Sequence, residues 1–334
     1  MAHAGNTMGL DRNSRVIGID VGGTFGRGIR GALVDGTASR IAGKEAVTPR
    51  TSQEDLIEAL ITMASRLADV AQRDGAPASA LGLAVPGLVD EARGVVYRSP
   101  NLKLQDVELG RILQDRLRLP VFLVHDATAG ALAEYATGVG RNVSDMLLVV
   151  MGLGVGSAVI SGGRVLRGAH GAAGEIGHIS LDPAGMICGC GGRGCVETFA
   201  SETAIARRYT MAAKQAILAE EVIARATTGD AAAARVWNDA LGALATVIAT
   251  AVALVDCELV VLSGTWESRR GPSRHWALCS PRGSTLSIFP EWRWVSWAAM
   301  PHSWAPRPSP SSASARATPH SSGGVEGAAR GTQT

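Results

Sequence analysis

Glu175-Ile176-Gly177-His178, a spacer of nine residues, then Cys188-Gly189-Cys190-Gly191-Gly192-Arg193-Gly194-Cys195-Val196-Glu197: this stretch puts one imidazole and three thiols into a short glycine-rich run. The donors match the Cys3His set of a closed structural zinc site, and the glycines let the backbone fold back until four ligands face one ion. Cys188 and Cys190, one residue apart, would make a very strained disulfide, whereas two thiolates on a tight glycine turn can share a tetrahedral metal. The competing reading is a glycine-rich loop with incidental cysteines, and a complete four-ligand set weighs against it. His178, Cys188, Cys190 and Cys195 are therefore the expected ligands. Glu175 and Glu197 bracket the loop, so its folding brings both carboxylates beside His178 as a polar wall suited to hydrogen-bonding a polyol.

Upstream, two stretches share one plan. Val16 to Asp20 is an apolar run ending in an acid, followed by Gly22-Gly23-Thr24 and a second apolar run from Ile29 to Val34. This reads as strand, glycine turn, strand. Amides around such a turn can cradle phosphate oxygens, and a carboxylate at the strand end can hold Mg2+ through water. Met146 to Met151, the loop Gly152 to Gly156, the strand Ser157 to Ile160 and the Gly162-Gly163 turn repeat the pattern. Such repetition suggests a duplicated α/β architecture with a nucleotide between the copies. Between them lie a helix with Leu56, Leu60, Met63, Leu67 and Val70 on one face, a buried strand Leu81 to Val85, a helix with Leu109, Ile112, Leu113 and Leu117 inward, and a strand Val121 to Val124. That last strand ends in His125-Asp126, and a helix is expected from Ala127 to Tyr135, so Asp126 stands at a strand-to-helix junction that favours a carboxylate. An N-cap aspartate is the plainer reading of the same position.

On these residues the sequence resembles the ROK family of bacterial sugar kinases and sugar-responsive repressors. Glu175-Ile176-Gly177-His178 is similar to its E-x-G-H element, Cys188 to Glu197 fits C-x-C-G-x-x-G-C-x-E at every fixed position, and His125-Asp126-Ala127-Thr128-Ala129-Gly130 with Glu134 resembles the element that carries the catalytic base. The resemblance runs from about Arg15 to Gly264. It implies an actin-like (ribonuclease H-like) two-domain α/β fold, residues 15–135 and 136–264, with a zinc loop, and ATP-dependent phosphorylation of a hexose. Glucose converted to glucose 6-phosphate is the first expectation, since single-domain members with this Cys pattern and the Pro100-Asn101 element are often glucokinases. An N-acetylmannosamine or N-acetylglucosamine kinase, or a sugar-binding protein with weak or no turnover, is the alternative. By resemblance Asp126 is the base; Asn101, His125, Asp126, Glu175, His178 and Glu197 face the sugar. Asp20, Gly22, Gly23, Thr24, Gly152, Gly154 and Gly264 serve ATP and Mg2+, and Zn2+ is structural.

The chain also departs from the family. His125 and Thr128 replace asparagines on either side of the base, Phe25-Gly26-Arg27-Gly28 replaces a lysine and lengthens the first loop, and Leu153 stands where threonine is usual. Downstream, helices are expected over Glu202 to Ala226, with a break, and Ala231 to Val255, then a strand Glu258 to Leu262. After Thr265 the resemblance stops: residues 265–334 hold six of the seven tryptophans and eight of the fourteen prolines, with no lysine or aspartate. An aberrant, disordered tail is expected there, of the bias a shifted reading frame gives in a GC-rich gene, and a flexible N-terminus over residues 1–14.

Composition narrows the class. A 334-residue chain with 46 % hydrophobic content can bury two cores, and a formal net charge of +2 gives no field for nucleic acid. Five cysteines, three of them in the cluster, fit a reducing cytoplasm. The first fourteen residues are polar and small, with no apolar core of signal-peptide length, and the apolar segment Leu241 to Val255 is shorter than the ~20 residues of a membrane span. The fifteen or so residues ahead of the first strand are too few for a helix-turn-helix. The expected partners are a hexose and a second copy of the chain in a homo-oligomer, with neither nucleic acid nor membrane.

Overall fold

Alternation fixes the first sheet. The computed structural model describes residues 13–22, 28–264 and 276–279, all of them within the first of two units, Met1–Leu286. It opens on an antiparallel meander, β1 (Arg15–Val21), β2 (Ile29–Asp35) and β3 (Arg40–Ala46), followed by helix α1 (Gln53–Arg73) and strand β4 (Ala78–Val85). Ile17, Ile19 and Val21 on β1, with Ile29 and Leu33 on β2, are buried on the face that α1 covers; Gly18 and Asp20 alternate to the other face. Leu56, Leu60, Met63 and Leu67 supply the apolar stripe of α1, and Ser52 caps it by accepting the Asp55 N–H at 3.0 Å.

Three short strands, β5 (Leu88–Asp90), β6 (Val95–Ser99) and β7 (Leu104–Val107), form a small antiparallel sheet. Helix α2 (Leu109–Leu117) and strand β8 (Val121–His125) complete the first half, whose main sheet runs β3-β2-β1-β4-β8. Helix α3 (Asp126–Ala136) then leads to β9 (Met146–Met151), β10 (Val155–Ser161) and β11 (Arg164–Val165). After the cysteine loop come α4 (Glu197–Ala200), α5 (Glu202–Ala213), α6 (Ala219–Ala226), α7 (Ala231–Val255), β12 (Leu259–Gly264) and β13 (Trp276–Cys279). The second sheet runs β11-β10-β9-β12-β13.

The two sheets follow one plan. Each central strand, β1 or β9, pairs antiparallel with its successor and parallel with β4 or β12. They part at the fifth strand, where β8 runs parallel to β4 but β13 antiparallel to β12. A parallel return needs a crossover of about a dozen or more residues, usually helical, and only residues 265–275 separate β12 from β13. Trp276–Cys279 thus forms a strand inside the tail expected to be disordered; the rest of that tail, 265–275 and 280–334, lies outside the described residues, as do 1–12 and 23–27.

Helix α3 touches both sheets, packing on β9 and β10 and reaching β4 and β8. Gly130 lets it approach, since a Cβ there would lie 3.0 Å from Leu148 Cδ2. Helix α7 begins ten residues before the apolar segment read from the sequence, and with 25 residues it is long and apolar enough to cross a membrane by length and composition. One face of it, including Val236, Ala240, Leu244, Val247 and Ala251, is buried in the second core. Asp230 caps its start, accepting the Ala232 and Ala233 N–H groups and the Tyr209 hydroxyl at 2.6 Å; these bonds, that of Tyr209 first, hold its carboxyl below the usual value.

Gly264 closes β12 at φ +139° beside Met151, where a Cβ would lie 1.8 Å from the Met151 carbonyl oxygen. Gly264→Ala is expected to destabilise the chain by more than about 2 kcal/mol in urea unfolding. An unchanged unfolding midpoint would show that the backbone does not make this approach.

Candidate active site

The four expected metal ligands come together. Their donor atoms all lie within 4.8 Å of one another. Cys190 Sγ is 3.8 Å from Cys195 Sγ, and Cys188 Sγ is 3.6 Å from His178 Nδ1. Two thiolates held at about 2.3 Å by one tetrahedral ion lie about 3.8 Å apart, so a set with these spacings could hold a metal ion. Backbone bonds build the loop before any metal enters: Cys188 N–H donates to Gly192 O at 2.8 Å, Gly194 N–H to Met186 O at 2.8 Å and Val196 N–H to Ile179 O at 3.0 Å. Burial pushes the Cys188 thiol up to about 12, and burial also raises Cys195, whereas the Gly192 N–H holds Cys190 below its ordinary value.

His178 belongs to a 3-10 turn, Ile176–His178, pressed onto the start of β10: a Cβ on Gly177 would sit 2.0 Å from the Val155 carbonyl oxygen. With Nδ1 turned to Cys188, its Nε2 lies 3.9 Å from Glu175 Oε2. The other oxygen of Glu175 is 3.9 Å from His125 Nε2, which in turn is 3.2 Å from Asp126 Oδ1. Glu175, His178, His125 and Asp126 therefore form one continuous row. Asp126 is the first residue of α3, with His125 in the cap position, and its Oδ1 accepts the Ala127 N–H at 2.7 Å. The N-cap reading thus belongs to His125, and the Asp126 carboxylate is 43 % exposed.

Glu197 takes a different direction. Its Oε2 accepts the Val155 N–H at 3.2 Å, and its Oε1 lies 3.5 Å from the Cys188 thiol. A Cβ on Gly154 would come within 2.4 Å of that carboxylate, so Glu197 braces the metal loop against the second glycine loop. Asn101 is exposed on a one-turn helix, Pro100–Leu102, ended by Lys103 in the left-handed region.

The glycine loops lie at strand ends, as expected. Gly152 N–H donates to Gly154 O at 2.9 Å, Gly264 ends beside this loop in register with Met151, and a Cβ on Gly156 would be 3.4 Å from Ala127 Cβ at the start of α3. In the first hairpin, Gly22 N–H bonds Gly28 O at 3.3 Å and Thr48 Oγ1 donates to Gly22 O at 2.8 Å; Gly23 and Thr24 lie outside the described residues. Asp20 is paired with Arg30 at 2.6 Å.

Residues 16–269 match the model of the ROK family. The chain belongs to the ROK family. Among curated ROK relatives, the N-acetylmannosamine kinase of Citrobacter koseri is 36 % identical over 255 residues, 75 % of this chain and 82 % of the kinase. A putative xylose repressor of Caldicellulosiruptor is 40 % identical over 153 residues, 46 % of this chain and only 38 % of the repressor's length. The structure aligns with the ROK hexokinase of Thermus thermophilus at TM-score 0.67 and 35 % identity, covering 77 % of this chain and 84 % of that one. It aligns with a ROK glucokinase of Streptomyces griseus, in complex with glucose and AMPPNP, at TM-score 0.66 and 27 % identity, covering 76 % and 84 %. The fold is the actin-like one of these ROK sugar kinases.

Two residues beside this row carry no sequence motif. Glu91 Oε1 accepts the His125 N–H at 3.3 Å, and its Oε2 accepts Arg167 Nε at 2.6 Å. Only the pairing of residues 76 apart in the chain reveals them.

Proposed function

We propose that the chain is an ATP-dependent hexose kinase, with glucose phosphorylated to glucose 6-phosphate as the first candidate and N-acetylmannosamine or N-acetylglucosamine as alternatives. One observation carries the reading: Asp126 stands at the head of α3, at the end of the His125–Glu175–His178 row, and the next residue, Ala127, faces Gly156 at the start of β10, just past the second glycine loop. A proton acceptor between a polyol-binding wall and a phosphate loop is what phosphoryl transfer to a sugar requires. The glucose and AMPPNP held by the Streptomyces griseus relative support the same reading.

In this reading Asp126 takes the proton of the acceptor hydroxyl as its oxygen attacks the γ-phosphate in line. The N-terminal end of α3 favours negative charge there, that of the transferring phosphoryl group included. Glu175, His178, His125 and Asn101 hold sugar hydroxyls, and Glu197 closes the sugar end while bracing the metal loop. Amides of Gly23, Thr24 and Gly154 hold the phosphates, in turns that Gly22 and Gly152 close through their own N–H bonds to Gly28 O and Gly154 O, with Gly264 at the nucleoside. Mg2+, when bound, would neutralise phosphate charge, and Asp20, now paired with Arg30, would hold it through water. Zn2+ suits the Cys3His cluster in a structural role, since four protein ligands leave no open position. Thiols kept for a metal fit a cytoplasmic enzyme, and a homo-oligomer is part of the same proposal.

A sugar-binding ROK protein with weak or no turnover is the second reading, favoured by the xylose repressor relative and by His125 in place of asparagine. A coupled assay with ATP across glucose, mannose, fructose and the two N-acetylhexosamines decides between them, paired with calorimetry of each sugar. Turnover of at least one hexose is expected. Binding without turnover would favour the second reading, and no binding of any hexose would remove both.

A further inference from the structure

Glu91 follows β5 in the first half of the chain, and Arg167 follows β11 in the second. A single carboxylate joins them: one oxygen holds the backbone N–H of His125, next to Asp126, and the other holds the Arg167 guanidinium. Arg167 opens the segment that delivers Glu175. Its carbonyl oxygen accepts the Ala173 N–H at 3.2 Å, and Ser157 Oγ donates to Gly174 O just before Glu175. Within that segment Gly171 sits at φ +72°, and a Cβ there would lie 3.2 Å from Val89 O on β5. Glu91 therefore touches both segments of the row, the one ending in Asp126 and the one ending in Glu175.

The partners differ in exposure. The Glu91 side chain is 16 % exposed and that of Arg167 is 55 % exposed. A charge-assisted bond with one partner largely withdrawn from water is stronger and more directional than a pair on the open surface.

We propose that Glu91 and Arg167 are a positioning pair for the phosphoryl acceptor. Their clasp holds residues 167–175 at the span where His125 Nε2 reaches Asp126 and Glu175 together, 3.2 and 3.9 Å away. The proposal rests on the kinase reading above. Phosphoryl transfer depends on positioning, and a small displacement of the acceptor lowers its rate or its binding. Among the described residues neither partner bonds to a glycine-loop residue, so the effect of the pair should fall on the sugar and spare the nucleotide.

The test uses the full chain with Glu91→Gln, Arg167→Met and Arg167→Lys. Glu91→Gln keeps an acceptor for the His125 N–H and removes the charge that Arg167 binds. Both Glu91→Gln and Arg167→Met are expected to raise KM for the hexose about tenfold, the size of one charge-assisted bond. KM for ATP should stay near the parental value, and Arg167→Lys should recover part of the loss. Amide hydrogen exchange in residues 167–175 should speed up in the first two variants. Unchanged hexose KM with unchanged exchange would overturn the clasp. So would equal rises in both KM values together with a lower melting temperature, the mark of a pair that serves the fold alone. A parental chain that phosphorylates no hexose would sink the kinase reading instead, and the exchange measurement would still decide whether the clasp holds the segment.

Discussion

Asp126→Asn is expected to lower turnover of the preferred hexose by roughly 10²- to 10⁴-fold, the range over which a general base contributes. The asparagine keeps the shape of the side chain and an oxygen for the Ala127 N–H now held at 2.7 Å. Hexose affinity should therefore change little, and the loss should lie in kcat. Removing an acceptor that acts only as the hydroxyl oxygen attacks leaves the ground state almost untouched. Thr128, buried two residues on, provides the control: Thr128→Ser alters the same turn of α3 without touching the proton acceptor and should stay close to the parental rate. An Asp126→Asn chain that turned over at the parental rate would remove Asp126 as the base. A chain that lost affinity and melting temperature along with rate would make Asp126 a residue of the fold.

Much of this site is legible in the sequence because its parts lie close together along the chain. His178, Cys188, Cys190 and Cys195 fall within one loop, so spacing and glycine content suffice to bring their donor atoms within 4.8 Å. The strand, glycine turn, strand units are legible because period-two burial marks β1 at Ile17, Ile19 and Val21, and a continuous apolar run marks β9. Direction is harder to read. Spacing places Glu197 beside the metal loop, but that one of its oxygens takes the Val155 N–H is decided by the packing of β10, which no local pattern encodes.

Elements at edges left weaker signals. Strand β3, Arg-Ile-Ala-Gly-Lys-Glu-Ala, has no residue buried on either face and so lacks apolar alternation, as sheet-edge strands often do. The small β5–β7 sheet is built from strands of three to five residues, too short to show a period. Glu91 and Arg167 stand apart in the sequence and meet through a backbone N–H and a single ion pair, a kind of contact that only the tertiary structure defines. Trp276–Cys279 pairs with β12 although its sequence has little periodicity, because an exposed strand edge offers hydrogen-bonding groups to any extended segment within reach.

Loss of the metal is the second large effect expected. Purified chain should carry about one zinc per monomer, and Cys190→Ser should abolish most of it, since a serine hydroxyl is a poor ligand beside two thiolates and an imidazole. Cys190 is the exposed member of the set, so its replacement leaves the packing of buried Cys188 and Cys195 intact and isolates the metal's contribution. Backbone bonds from Cys188, Gly194 and Val196 already shape the loop, which should make the stability loss on the order of a few kcal/mol, below the ~10–16 kcal/mol that structural zinc supplies where it alone drives folding. The pH dependence has a definite sign. Burial raises Cys188 to about 12 and raises Cys195 as well, so both carry protons near neutral pH in the metal-free chain, and metal uptake must release them. Apparent zinc affinity, measured against a chelator, should therefore be higher at about pH 8 than at about pH 6, and the reverse order would argue against thiolate ligation. The consequence for the sugar follows from the imidazole. Nδ1 turned to the metal leaves His178 Nε2 facing Glu175 at 3.9 Å, so an ion there fixes the ring that forms part of the polyol wall. Without the metal the ring is free to turn, and hexose affinity should fall with zinc content across Cys190→Ser and chelated parental chain alike. Full hexose affinity in a zinc-free Cys190→Ser chain would separate the metal from the pocket and leave it a role in stability alone.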